Sequence, residues 1–402
     1  MQVVVVGSGA REHALAWRLQ QSDGLTELHA APGNPGIARI GPCHPVRADD
    51  ADGLLSLAMT LGADLFVIGP EAPLVAGVAD ALRRNGIAVF GPGAGAAQIE
   101  GSKAFAKDVL RAAGVPTAET LSVARPPCVV KADGLASGKG VFVCRTPEEI
   151  DEALRAVSAL GGEFVIEELI EGDEVSLFAL SDGAHVVPLG AAQDFKRIGD
   201  GDVGPNTGGM GAYSPVPWLE DADELVDQVH KPVIDELARR GTPFIGCLFA
   251  GLMMTADGPK VLEFNARFGD PETQVLLPRL EGDLLELLLA AAVGDLSGAT
   301  ASMAGNAAVT VVLAGPEYPA RSDYSGAPIE GLEAAEATGA LVFHGGTAAR
   351  DGTVLTNGGR ILSVTGTGTN VAKARSHAYG AVELISFEGM QFRRDIAAVA
   401  GG

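Results

Sequence analysis

One unit, repeated through the first hundred residues, limits this chain to a small set of folds: an apolar strand, a glycine turn, then helix-compatible sequence. Residues 3–6 are all valine, followed by Gly7-Ser8-Gly9-Ala10 and by Arg11, Glu12 and His13 with an apolar stripe at Ala14, Leu15 and Leu19. The unit returns at residues 65–68 before Gly69-Pro70-Glu71, and at 87–90 before Gly91-Pro92-Gly93. Continuous apolar strands alternating with helices predict a parallel βαβ sheet. In open α/β sheets ligands bind beyond the carboxyl ends of the strands, where these turns lie.

The turns do not spell a dinucleotide fingerprint. G-x-G-x-x-G would need glycine at position 12, which is Glu12, and no ribose-binding acid follows a second strand at the usual distance. Loop amides and a helix N-terminus attract anions, so residues 7–11, 32–36 and 69–71 read as phosphate- or sugar-binding loops. Gly9, Arg11, Glu12, Asn34 and Glu71 are the candidate substrate contacts there. His13, one turn into an amphipathic helix, reads as packing.

A chain of 402 residues exceeds one simple core and suggests roughly two to four domains. A net charge of −22 disfavours nucleic acid and acidic membranes as partners, yet leaves room for a phosphorylated small molecule met by a local cluster of Lys and Arg. Cys43, Cys128, Cys144 and Cys247 form no C-x-x-C pair and read as free buried thiols. The N-terminus lacks a basic segment before its apolar strand, and the most apolar helix, residues 284–293, is too short to span a bilayer. A cytoplasmic protein is the expectation.

Further along, Gly101-Ser102 caps a helix over about 103–113 that ends at Gly114. Lys103 and Lys107 share one of its faces, which by itself reads as solvated. Residues 128–143 form two strands around a glycine-rich loop flanked by Lys131 and Lys139. This is not a Walker A loop: the spacing to Gly138-Lys139 is one residue short, Gly140 replaces the hydroxyl residue, and the loop returns to a strand. A hairpin laying backbone amides over phosphates fits better. Residues 164–177 read as two more strands with a bend at Gly172, carrying Glu167, Glu168 and Glu174. Finally, Glu263-Phe264-Asn265-Ala266-Arg267 follows a strand. Glu263 and Asn265, two apart, share a face and offer oxygens to Mg²⁺, while Arg267 offers a fork to an anion.

Together these motifs resemble the nucleotide-site motifs of the ATP-grasp superfamily and, end to end, the phosphoribosylamine–glycine ligase family. The resemblance runs through Gly69-Pro70-Glu71-Ala72-Pro73-Leu74, Gly204-Pro205-Asn206-Thr207-Gly208-Gly209-Met210-Gly211, Arg267-Phe268-Gly269-Asp270-Pro271-Glu272-Thr273-Gln274 and Thr356-Asn357-Gly358-Gly359-Arg360. The resemblance implies a mixed α/β and α+β multidomain fold. A Rossmann-like substrate domain would span 1–101, an ATP-grasp domain 102–292 with a lid at about 117–170, and a separate α/β piece 293–402 closing the site. It implies ATP-dependent ligation of glycine to 5-phosphoribosylamine in purine biosynthesis through glycyl phosphate, with Mg²⁺ or alternatively Mn²⁺; a monomer is a separate expectation.

By the same resemblance Lys103, Lys131 and Lys139 neutralise phosphates, with Gly138 in the loop. Glu167 and Glu168 border the adenine, Ile170 bonds it through its backbone, and Glu174 takes the ribose. Glu263 and Asn265 hold the metal, and Arg267 holds the glycine carboxylate and acyl phosphate. Asp194, Lys196, Asp202, Gly269 and Asp270 join the substrate contacts, and Arg360 is a further candidate. Two departures stand out: no acid at Gly251, where many superfamily members carry a metal ligand, and a short stretch between Pro116 and Cys128. Rival readings are another ATP-grasp carboxylate–amine ligase, a dinucleotide-dependent oxidoreductase, and a nucleotide-binding protein without activity.

Overall fold

A computed structural model describes residues 1–135 and 140–398 of the chain. Its N-terminal unit is a four-stranded parallel sheet in the order Glu27–Pro32, Gln2–Gly7, Leu65–Ile68, Ala88–Phe90. Val4 and Val6 enter one apolar cluster, Val3 and Val5 another. An unbroken valine run thus serves a sheet covered on both faces. The turn after it needs glycine: Gly7 has φ +128°, and an added Cβ would lie 2.6 Å from the Glu12 side chain.

The lid is a three-stranded antiparallel sheet in the order Val141–Cys144, Cys128–Ala132, Phe164–Glu168. Helix Pro147–Ala159 covers it, started by a capping box between Thr146 and Glu149 with proline in its first turn. Ile150, Ala153 and Val157 pack on Cys128 and Val130 in a core separate from the rest of the molecule. The bend at Gly172 is where the chain leaves this sheet. The next strand, Asp173–Asp182, belongs to a different one.

That second sheet has eight strands, all antiparallel: Gly258–Asn265, Ile245–Thr255, Asp173–Asp182, Val186–Asp194, Gly211–Ser214, Ala307–Ala314, Arg360–Gly368, Leu341–His344. The C-terminal α/β piece is present, and its strands continue this same sheet. Ala307–Ala314 hydrogen-bonds to Gly211–Ser214 and extends the ATP-grasp sheet, with helix Val371–Val382 packed over it. Which edge a buried strand joins is decided by long-range pairing that its own apolar pattern does not encode.

The N-terminal unit is fastened to this extension. His13 Nδ1 accepts the His344 backbone N–H at 2.9 Å, and Asn34 donates to the His344 carbonyl at 2.7 Å. Burial lowers His13 to a pKa of about 3, so its ring is a neutral acceptor, the packing role its position suggested. All four cysteines are unpaired, with Cys43 half-buried and the others buried. No helix among the described residues is long and apolar enough to cross a membrane.

Candidate active site

The site grows from the end of strand Gly258–Asn265. Glu263 pairs with Gly251 and Asn265 with Phe249, while Val261 pairs with Leu252, so Leu262 is the extra residue of a bulge. Its carbonyl, left by the ladder, accepts from Lys131 Nζ at 3.0 Å. Glu263 and Asn265 share one face and line two adjoining cavities, as does Arg267. The Glu263 side chain has no hydrogen-bond partner among the described residues, and Asn265 Oδ1 accepts from Arg267 at 3.2 Å.

No group of three or more His, Cys, Asp or Glu side chains converges as a metal cage among the described residues. The donor set nonetheless fits Mg²⁺, which takes one or two protein oxygens and completes its shell with phosphate and water. An uncommitted carboxylate beside a carboxamide oxygen supplies those. Gly251, directly opposite Glu263, offers no further ligand.

The first cavity holds lysines. Lys107 Nζ lies 2.9 Å and Lys131 Nζ 2.6 Å from the two oxygens of Glu167, all three side chains less than a tenth exposed. Lys107 also donates to Thr117 Oγ1 at 2.8 Å and the Ala118 carbonyl at 2.7 Å. The expected solvated face is thus half wrong. Lys103 lies at the helix start, its Nζ donating to the Gly134 carbonyl at 3.1 Å, whereas Lys107 is buried in the cavity wall. Burial lowers the Lys107 pKa, opposed by Glu167. The signal for it, Lys at i and i+4 after a cap, was visible but shared by countless surface helices.

Other expected nucleotide contacts sit differently. Gly138 and Lys139 lie outside the described residues. Glu168 is bound to Lys260 at 2.9 Å and to the Glu119 N–H at 3.1 Å. Glu174 is ion-paired with Lys196, and neither it nor Ile170 lines the two cavities.

The second cavity is a groove with Arg11, Glu71, Asp194, Lys196, Asp270 and Glu272 in its wall. Arg267 is clamped there: Nε to Glu71 at 3.0 Å, Nη2 to Glu100 at 3.1 Å, Nη1 to the Phe268 carbonyl at 3.1 Å. Its Nη1 and Nη2 each make one hydrogen bond, to the Phe268 carbonyl and to Asn265 Oδ1. Burial opposes its charge, but Glu100 and Glu71 outweigh that and raise its pKa. Burial would raise Glu71 too, yet Arg267 and Arg11 hold it down at about 2. Gly269 follows, where an added Cβ would lie 2.4 Å from Glu272 Oε2.

Several expected substrate contacts are committed to structure instead. Glu12 takes the Gly9 N–H and Arg11 Nε, each at 2.6 Å. Asn34 spends its carboxamide on backbone groups of Ser8, Gly36, Ile37 and His344. Asp202 sits on a turn at φ +55° and pairs with buried Arg393 at 2.6 Å, outside the groove lining. Asp194 and Lys196 do line the groove, 3.3 Å apart. Arg360 was placed better than its position in a distant loop suggested. It donates to the Gly208 and Asp270 carbonyls and lies 3.3 Å from the Asp270 carboxylate. Beyond this pair the groove meets a third cavity lined by Gly9, Gly33, Gly346, Asn357 and Gly359.

Comparison with known proteins places matches along nearly the whole chain. Residues 1–100 match the family model described as phosphoribosylglycinamide synthetase, N domain; 101–273 match its ATP-grasp (A) domain, and 308–399 its C domain. A phosphoribosylamine–glycine ligase of Streptomyces coelicolor is 52% identical, the match covering 100% of both chains. The crystal structure of phosphoribosylamine–glycine ligase from Thermotoga maritima superposes with TM-score 0.84 at 33% identity, covering 99% of this chain and 100% of that one. The biotin carboxylase domain of Hydrogenobacter thermophilus 2-oxoglutarate carboxylase shares the fold, with TM-score 0.69 at 19% identity over 97% of this chain and 91% of that one.

Proposed function

The chain belongs to the phosphoribosylglycinamide synthetase family, and from that premise we propose how its cavities ligate glycine to phosphoribosylamine in purine biosynthesis. It is an ATP-dependent ligase. The observation that carries the assignment of roles is that Glu263, Asn265 and Arg267 line both the lysine cavity and the groove. Phosphoryl donor and acceptor can therefore meet over the same side chains.

ATP lies in the first cavity, its phosphates toward Lys103, Lys107 and Lys131. Glycine lies in the groove. A glycine carboxylate oxygen attacks the γ-phosphorus, the bond to the bridging oxygen breaks, and ADP leaves glycyl phosphate behind. The amine of 5-phosphoribosylamine then attacks the acyl carbon; the C–O bond to phosphate breaks, and the amine gives up a proton. Both steps crowd negative oxygens together, so fixed positive charge is what the site must supply. Mg²⁺ or Mn²⁺ held by Glu263 and Asn265 would neutralise phosphate charge. Arg267, fixed by Glu71 and Glu100, presents its guanidinium charge to the acyl phosphate without having to reorganise.

Phosphoribosylamine extends from the groove past Arg360 and Asp270 toward the glycine-rich third cavity. We also propose a monomer acting in the cytoplasm, with the functional divisions at 1–101, 102–292 and 293–402. Light scattering on the purified chain checks the first of these. The test of function is ADP release with Mg²⁺, ATP and glycine, with and without phosphoribosylamine generated in the tube. Turnover that needs both substrates and yields glycinamide ribonucleotide is expected. Another acceptor pair giving faster turnover would move the chain to a different carboxylate–amine ligase.

A further inference from the structure

The largest fully buried side chain among the described residues is a charged one, Arg393, which is 1% exposed. It lines neither the groove nor the two cavities beside it. Its Nε and Nη2 grip the Asp395 carboxylate at 2.7 and 2.6 Å, and its Nη1 reaches Asp202 at 2.6 Å and the Arg197 carbonyl at 3.2 Å. The guanidinium carbon lies 5.0 Å from the centre of the Phe195 ring. A buried ion pair is an inefficient anchor for a chain end, since apolar packing of like volume often stabilises as well. What the rigid fork adds is direction.

These contacts bracket one residue. Phe195 and Arg197 flank Lys196, whose ammonium is paired with Glu174 and Asp194 in the groove wall. One side of that backbone is fixed by the glycine-rich run: the Phe195 N–H donates to the Gly211 carbonyl at 3.0 Å, and the Lys196 carbonyl accepts the Thr207 N–H at 2.7 Å. The other side leads into a hairpin, Arg197–Gly199 with Val203–Asn206, that pairs with no other sheet. A lone two-stranded ribbon is marginal in water.

The C-terminal segment supplies the missing hold. Arg393 takes the base of the hairpin at Arg197. At the tip, Asp395 accepts the Gly201 N–H at 2.8 Å and the Arg394 N–H donates to Asp200 at 2.7 Å. We propose that Arg393 is a positioning residue for the ligation, setting the Lys196 ammonium in the groove through Phe195 and the Arg197 carbonyl without touching substrate. This rests on the reading of the groove given above. Asp395 takes two of the guanidinium N–H groups and Asp202 one, so Asp202 is the dispensable partner.

The experiment is steady-state kinetics of the full-length enzyme, R393K, K196M and the double variant, with circular dichroism and Tm on each. R393K keeps the charge and loses the fork. It is expected to lower kcat/KM for glycine and phosphoribosylamine by about 10- to 100-fold, as a misplacement of about 1 Å can do, while the KM for ATP stays within about threefold. K196M should lower the same two constants, and R393K added to it should cost less than about a further threefold, because both changes remove one effect. D395N should act in the direction of R393K by a smaller factor, which keeps the test alive if R393K folds poorly.

Losses that multiply in the double variant, or a K196M enzyme with unchanged kinetics, would overturn the proposal. So would a fall in Tm for R393K with kcat/KM for both groove substrates unchanged, which marks a merely structural anchor. A KM for ATP that rises in step with the others would mean general loosening and overturn it as well. Wild-type enzyme that makes no glycinamide ribonucleotide would overturn the reading of the groove itself, a separable result because it involves no variant.

Discussion

The two ends of the site solve opposite electrostatic problems. In the nucleotide cavity one carboxylate, Glu167, is shared by two lysines, Lys107 and Lys131, within 2.9 Å. In the groove the ratio is inverted: Arg267 is shared by Glu71 and Glu100, and Lys196 by Glu174 and Asp194. By these pairs the cavity is one negative charge short and the groove two positive charges short. Each shortage matches what arrives. In the proposed reaction phosphates would enter the first, and a metal ion and the amine substrate the second. Glu263 and Asn265 stand at the border, on a strand rigid enough to keep both ends in register.

Breaking the border should cost most. Glu263→Ala is expected to lower kcat by about 10³-fold or more while far-UV circular dichroism and Tm stay near wild type; near-normal activity would sink the metal assignment. Next comes the cationic end. Lys107→Met should raise the KM for ATP about 10- to 100-fold and lower stability by about 2 kcal/mol, since Glu167 keeps Lys131. Activity that follows Lys103 and ignores Lys107 would show the buried lysine to be scaffold.

At the acidic end, Glu71 is held at a pKa of about 2 in the folded chain against an ordinary 4.5. Its contribution is therefore complete above pH 4.5 and lost as pH falls toward 2, a difference of up to about 3 kcal/mol. Arg267→Lys, which replaces the fork with a point charge, should shrink that acid-sensitive component in urea titrations at pH 5 and pH 3. An unchanged difference would mean that Arg11 holds Glu71 instead. The smallest effect is expected outside both ends: Asp202→Asn should change Tm by at most a few degrees, since the Asp202 carboxylate is exposed and buried Arg393 keeps Asp395, and leave every KM alone. A raised KM for phosphoribosylamine would return Asp202 to the substrate site.

Much of this could be read from residues close together in the chain. The valine strand with its glycine turn, the Ser102 cap, the lid hairpin and the shared face of Glu263 and Asn265 are all local, set by backbone sterics and a two-residue period. Family resemblance supplied the reaction, because those local signals recur in one order along the whole chain.

Tertiary structure decided what depends on distant partners. Nothing near Lys107 in sequence announces Glu167, sixty residues on, which turns a surface-like lysine into a buried one. Asn34 looked like a ligand because loops with polar side chains often carry them, but the backbone of Ser8 and His344 had claimed it. Glu272 was one acid among several in its stretch until the fold buried it and left its Oε2 without a donor among the described residues. The sequence by itself determined which segments become strands, turns and caps, and which side chains share a face. Only the tertiary structure decided which charges are already satisfied. Hydrogen bonds and ion pairs saturate, and their saturation is a property of the assembled neighbourhood rather than of any one stretch.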